Sequence, residues 1–146
     1  MYRSATALAL AAVVFAACGG PGASPTPAAV PVVQLASSAL GQIVADASGR
    51  TLYGFTPDEA SGQPTCTGSC ADNWPAFTVS SSFTVGSGLD QSKFSTVTAT
   101  TGGTQLKFGN YPLYYFAGDT AANQTNGQGV GGKWYVVGAD GALIGM

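Results

Sequence analysis

One pattern occurs twice in this chain: "TLYGFTPD" begins at Thr51 and "PLYYFAGD" runs from Pro112. Both contain Leu-Tyr-x-Phe-x-x-Asp, as Leu52, Tyr53, Phe55 and Asp58, then as Leu113, Tyr114, Phe116 and Asp119, 61 positions apart (53 to 114). A tryptophan follows each copy, Trp74 and Trp134. A unit of about 60 residues buries its own apolar face poorly, so two matched units are expected to form one paired domain.

The spacing between the copies is β-like. Helical periodicity is nearly lacking after the first residues, and short runs such as "GQIVADASGRTLYGF", "FSTVTATTGGTQLKFGNYPLYYF" and "KWYVVGADGALIGM" are rich in Val, Thr, Tyr, Phe and Trp. Such residues favour pleated, half-buried surfaces. "DASG" and "ADG" read as hairpin turns. The expected fold is all-β: two short-stranded antiparallel repeat units of about 60 residues packed as one pseudo-two-fold domain. Unit 1 is placed at about 38–99 and unit 2 at about 100–146, with "TTGGT" (Thr100 to Thr104) as the bend between them.

Residues two apart in a strand share a face. Tyr53 therefore points with Phe55, and Tyr114 with Phe116, while Leu52 and Leu113 point the other way. Asp58 and Asp119 fall where each strand should end, suited to backbone N–H groups of the next turn or to a tyrosine hydroxyl. Two readings follow. Either the motifs are core-and-turn signatures of a repeated unit, or the tyrosines and carboxylates face a shared cleft.

The chain starts differently. Residues 1–17, "MYRSATALALAAVVFAA", carry Arg3 and then an uncharged, mostly apolar run. That run is shorter than the roughly 20 residues of a spanning helix, and suits a secretory signal. It ends at "VFAAC", which resembles the lipobox of a bacterial lipoprotein, with Phe15 where that pattern has Leu. Lipidation at Cys18 by acyl chains such as palmitate would anchor the protein, since each buried methylene contributes about 0.8 kcal/mol. The alternative is a plain secretory signal with Cys18 incidental. Residues 18–35, rich in Gly, Pro, Ala and Ser, read as a lipidated, flexible tether, and 36–146 as the repeat domain.

Cys66 and Cys70 flank "TGS", and in an oxidising compartment such a pair is by default a disulfide. A redox pair or a metal site are the other readings. The chain has no histidine, which removes His-based triads, zinc-protease motifs and histidine haem ligands. No cofactor and no metal are expected. "NGQGVGGKW" precedes a strand-like run and so reads as a wide turn, not a dinucleotide loop. Beyond the leader, four basic residues (Arg50, Lys93, Lys107, Lys133) face seven acidic ones, a net charge of about −3. No basic stripe offers itself to nucleic acid.

The two Tyr-x-Phe-x-x-Asp copies, "CTGSCADNWP", "GNYPLYYFAGD" and "NGQGVGGKWYVV" together resemble a bacterial lipoprotein family with a conserved Tyr-x-(Phe/Trp/Tyr)-x-x-Asp motif, the secreted repeat of unknown function. The resemblance implies a small, membrane-tethered repeat domain on the extracytoplasmic face of the cell envelope, and implies no reaction. The expected function is a non-catalytic binding or structural module. Its expected partners are membrane lipid through Cys18 and a surface protein or small ligand. The alternative is a small redox or carboxylate enzyme using Cys66 and Cys70 or the duplicated Tyr/Asp set.

Overall fold

A computed structural model describes residues 19–20, 22 and 29–146. The signal segment 1–17 and Cys18 lie outside the described residues. Among the described residues seven short strands dominate: β1 (Val33–Ser38), β2 (Gly41–Asp46), β3 (Tyr53–Phe55), β4 (Phe94–Thr98), β5 (Thr104–Phe108), β6 (Tyr111–Pro112) and β7 (Trp134–Val136). Among the described residues one short α-helix, α1 (Ser69–Asn73), follows the first Tyr/Asp motif. All pairings between named strands are antiparallel.

Each unit begins with a hairpin. β1 pairs with β2 from Val33↔Asp46 to Ser38↔Gly41, and β4 pairs with β5 from Phe94↔Phe108 to Thr98↔Thr104. β1 starts at Val33, so residues 33–35 belong to the first strand and not to the tether. The unpatterned "VVQLASS" hides this, because only its pairing with the alternating "GQIVAD" makes it a strand. "TTGGT" lies within the turn between β4 and β5, where Ala99 N–H bonds Gly103 O at 3.0 Å. It is a hairpin turn inside the second unit, which begins at Phe94, and not the bend between units.

The two units are interlaced. At the centre, Tyr53 and Tyr114 exchange backbone bonds: Tyr53 N–H to Tyr114 O at 2.9 Å, Tyr114 N–H to Tyr53 O at 3.0 Å. From there each motif strand pairs with the tryptophan segment of the other unit. β3 takes β7, with Phe55 opposite Trp134. The second motif takes residues 73–76, through Tyr115 N–H to Pro75 O and Ala117 N–H to Asn73 O, both 2.8 Å. The hairpins are completed in the same crossed way: Val44 N–H bonds Val137 O at 2.8 Å, and Leu106 N–H bonds Phe77 O at 3.0 Å. A unit removed from its partner would therefore leave open sheet edges with unpaired backbone groups, which cost free energy when buried.

Strand alternation sorts the core into two clusters. Leu52 and Leu113 join Val33, Val44, Phe77, Phe94, Leu106 and Phe108 in one. Tyr53 and Tyr114 join Ile43, Cys66, Trp74, Trp134 and Val136 in the other, with Phe55 and Phe116 packed against it. The second cluster straddles the pseudo-two-fold axis.

Candidate functional site

The duplicated motif converges at that axis. Tyr53 donates its hydroxyl to Asp119 Oδ2, and Tyr114 donates to Asp58 Oδ2, each at 2.6 Å. Each of these two tyrosines is thus clamped by the carboxylate of the opposite unit. The other carboxylate oxygen holds its own loop: Asp58 Oδ1 accepts from Thr65 N–H (2.9 Å) and Thr65 Oγ1 (2.6 Å), and Asp119 Oδ1 accepts from Asn126 N–H (3.0 Å). Both loop contacts span seven residues. The Tyr53 oxygen also receives a backbone donor, Gly127 N–H at 3.2 Å, and the backbone of Cys66, the counterpart of Gly127, lies near the Tyr114 hydroxyl.

The four polar groups are sealed off. Tyr53, Tyr114, Asp58 and Asp119 are 0, 1, 0 and 3% exposed. Burial, reinforced by the neighbouring carboxylates, pushes both hydroxyls well above the usual phenol range. Burial also raises Asp58 above the ordinary carboxylate range, more than its bonds from Thr65 and Tyr114 lower it. Removing a carboxylate from water disfavours its charged form. The burial favours a core signature over a shared cleft: the motif oxygens meet one another, the Thr65 hydroxyl and backbone N–H groups.

Aromatic rings form a four-membered column beside the clamps. Trp74 and Trp134 stack with centroids 3.9 Å apart and planes 1° apart. Phe55 stacks on Trp134 at 4.1 Å and Phe116 on Trp74 at 4.4 Å. Tyr53 meets Trp74 edge-on at 5.3 Å, and Tyr114 meets Trp134 at 5.2 Å. Gly127 is forced by this packing, since a Cβ there would lie 2.7 Å from Trp74 Cη2 and 2.9 Å from the Tyr53 ring.

Cys66 occupies the place of Gly127 in the first unit. It is bridged to Cys70, with Cα atoms 5.3 Å apart, and Gly68 between them takes φ +58°, a conformation that glycine adopts without strain. The bridge ties the loop that carries Thr65 to the start of α1. Among the described residues no group of three His, Cys, Asp or Glu side chains could hold a metal ion.

Several partners were not singled out from the sequence. Thr65 and Asn126 are the main ones, and the 61-residue shift that relates the tyrosines also relates Thr65 to Asn126 and Cys66 to Gly127, the first glycine of the wide turn. Asp46 is another: its Oδ1 accepts from Ser48 N–H, Ser48 Oγ and Arg50 N–H, and its Oδ2 from the Tyr115 hydroxyl at 2.7 Å. Arg50 lies over the Tyr115 ring at 4.2 Å. Gln105 stands where the first unit has Ile43. Its Nε2 bonds Leu113 O at 2.8 Å, and its buried Oε1 has no partner among the described residues. Away from the motif, a groove of about 540 Å³ runs between Asp46–Ser48 and Phe77–Ser80 over Val32.

A duplicated, interlaced β domain locked by crossed tyrosine–carboxylate pairs defines the class. The family comparison agrees with the duplication: the model of the secreted repeat of unknown function matches residues 34–78 and 95–138. The chain belongs to that family, which places it outside the cytoplasm. Each match starts one residue into a unit's first hairpin and ends just past its tryptophan segment. No curated protein and no solved structure matches the chain at a significant level.

Proposed function

We propose that this protein is a lipid-anchored, non-catalytic module of the bacterial cell envelope that presents a binding face to the extracytoplasmic space. The observation that carries this reading is the closed polar inventory of the duplicated motif. Both oxygens of Asp58 and both of Asp119 already accept hydrogen bonds, and both tyrosine hydroxyls are committed to them. Carboxylate chemistry would need at least one of these groups open to a substrate. The clamp instead accounts for the motif as the means by which two small units hold one fold.

Anchoring is supported by the position of Cys18 at the end of the apolar run. The first described backbone bond of the domain is Val32 N–H to Thr84 O. From Cys18 to Val32 the chain spans at most about 50 Å when fully extended, which keeps the domain close to the membrane. The face most suited to a ligand is the groove beside Asp46. Asp46 is saturated, so the groove offers apolar Val32, Phe77 and Val79 with the hydroxyls of Ser48, Thr78 and Ser80. That chemistry fits a neutral, partly apolar ligand.

Cell fractionation tests the anchor. Cys18→Ala is expected to leave the membrane fraction or to accumulate as unprocessed precursor. Processing and membrane association equal to the unaltered protein would refute it. For the non-catalytic assignment, Tyr53→Phe and Asp119→Asn should lower thermal stability and reduce ligand capture only in proportion to the unfolded fraction. Full stability with abolished capture would make the motif a site instead of a clamp.

A further inference from the structure

We propose that the tryptophan pair and the two crossed tyrosine–carboxylate pairs form a site of one-electron oxidation, in which a hole on Trp74–Trp134 is filled by Tyr53 or Tyr114 as the phenolic proton passes to Asp119 or Asp58. This role is independent of what the groove binds and of the membrane anchor. A one-electron oxidant, such as an inorganic radical reaching the extracytoplasmic face, takes an electron from an indole and leaves a radical cation. The tyrosine then supplies an electron to the indole, its O–H bond breaks, and a new O–H bond forms on the aspartate. The products are a neutral indole, a neutral phenoxyl radical and a carboxylic acid, with the same total charge as before.

Four observations carry the inference. Indole and phenol are the readily oxidised rings of this chain, and here two of each lie in one continuous contact, at 3.9 Å between the indoles and 5.2–5.3 Å from each indole to its tyrosine. A phenol gives up an electron easily only when its proton can leave, and each of these phenols has a carboxylate at 2.6 Å. Burial shields both tyrosines from a second molecule, which suppresses radical coupling. The backbone donor at Gly127 remains on the Tyr53 oxygen after the proton has gone. The raised proton affinity of Asp58, caused chiefly by burial, favours the transfer in that pair.

Pulse radiolysis with the azidyl radical on the intact, disulfide-bonded protein tests this. The indolyl absorption should decay into the phenoxyl band with a first-order rate independent of protein concentration. In the Asp58→Asn/Asp119→Asn variant the conversion should slow by roughly tenfold or more, because the amide cannot take the proton. In Tyr53→Phe/Tyr114→Phe the long-lived phenoxyl signal should be lost. Equal conversion in the Asn variant would show that the carboxylates do not take the proton, and an equal signal in the Phe variant would place the radical on another tyrosine; either overturns the proposal. Should those variants fail to fold, the unaltered protein decides alone. An internal base predicts slowing in deuterium oxide and no dependence on buffer concentration, whereas a rate that climbs with buffer base shows the proton leaving to solvent and refutes the site.

Discussion

Removing the Tyr53 hydroxyl puts the interlaced clamp under its most direct strain. Tyr53→Phe keeps the ring against Trp74 and Phe116, yet removes the donor to Asp119 Oδ2 and the acceptor for Gly127 N–H. Asp119 is then left with the single Asn126 N–H at 3.0 Å. A hydrogen bond to a buried charged group contributes about 1.5–3 kcal/mol, and its orphaned partner bears the desolvation cost. The expected loss is about 2–3 kcal/mol, or a melting point lower by about 8–12 °C at roughly 4 °C per kcal/mol for a domain of this size. Tyr114→Phe should cost less, because Asp58 keeps two donors from Thr65. The decisive assay is a pair of double-mutant cycles read by thermal or urea unfolding. Tyr53→Phe with Asp119→Asn, from opposite units, should show coupling of about 1–3 kcal/mol. Tyr53→Phe with Asp58→Asn, from the same unit, should be additive to within about 0.5 kcal/mol. Coupling within a unit and additivity across units would refute the crossed arrangement.

Gly127→Ala places a methyl group against Trp74 and Tyr53 and should destabilise by about 1–3 kcal/mol through overpacking; calorimetry measures it. Replacing Cys66 and Cys70 by Ser opens a ring of only four residues' separation, and should cost about 2 kcal/mol in thermal unfolding while the fold persists. Asp58 and Asp46 should respond to acid in opposite directions. Burial raises Asp58, so its contribution is complete below the unfolded value of 3.8 and declines as pH rises through its folded value; the penalty of Asp58→Asn should shrink with rising pH. At Asp46 burial is outweighed by bonds from Ser48, Tyr115 and Arg50, which hold it low; the penalty of Asp46→Asn should vanish as pH falls below 3.8. Melting curves across the acid range separate the two. At the alkaline end, burial and then Glu59 push Tyr111 up to about 12, so its contribution is complete below 10 and lost through about 12, and Tyr111→Phe should blunt alkaline unfolding followed by far-ultraviolet dichroism.

Much of this protein is legible without coordinates, for identifiable reasons. The 61-residue echo exposes the duplication, because a repeated unit must repeat its packing residues. Period-two alternation places Leu52 and Leu113 in one cluster and Tyr53 and Tyr114 in the other, since a pleated strand has only two faces. The oxidising setting accounts for Cys66 and Cys70, which are bridged. The short helix at Ser69–Asn73 is not legible in the sequence, being barely one turn and too short for any period to show.

What the chain alone determines, then, is the inventory: two β units, their core-facing rings, and an acid placed to end each motif strand. Which acid serves which tyrosine is decided only in three dimensions. Sequence proximity favours Tyr53 with Asp58, but the fold joins Tyr53 to Asp119 and Tyr114 to Asp58. The physical reason is that a strand directs its side chains across the sheet and not along the chain. Once β3 pairs with β7 and the second motif pairs with residues 73–76, each tyrosine projects over the other unit's loop. Local pattern carries no information about that exchange, because the same alternation would suit two units packed side by side.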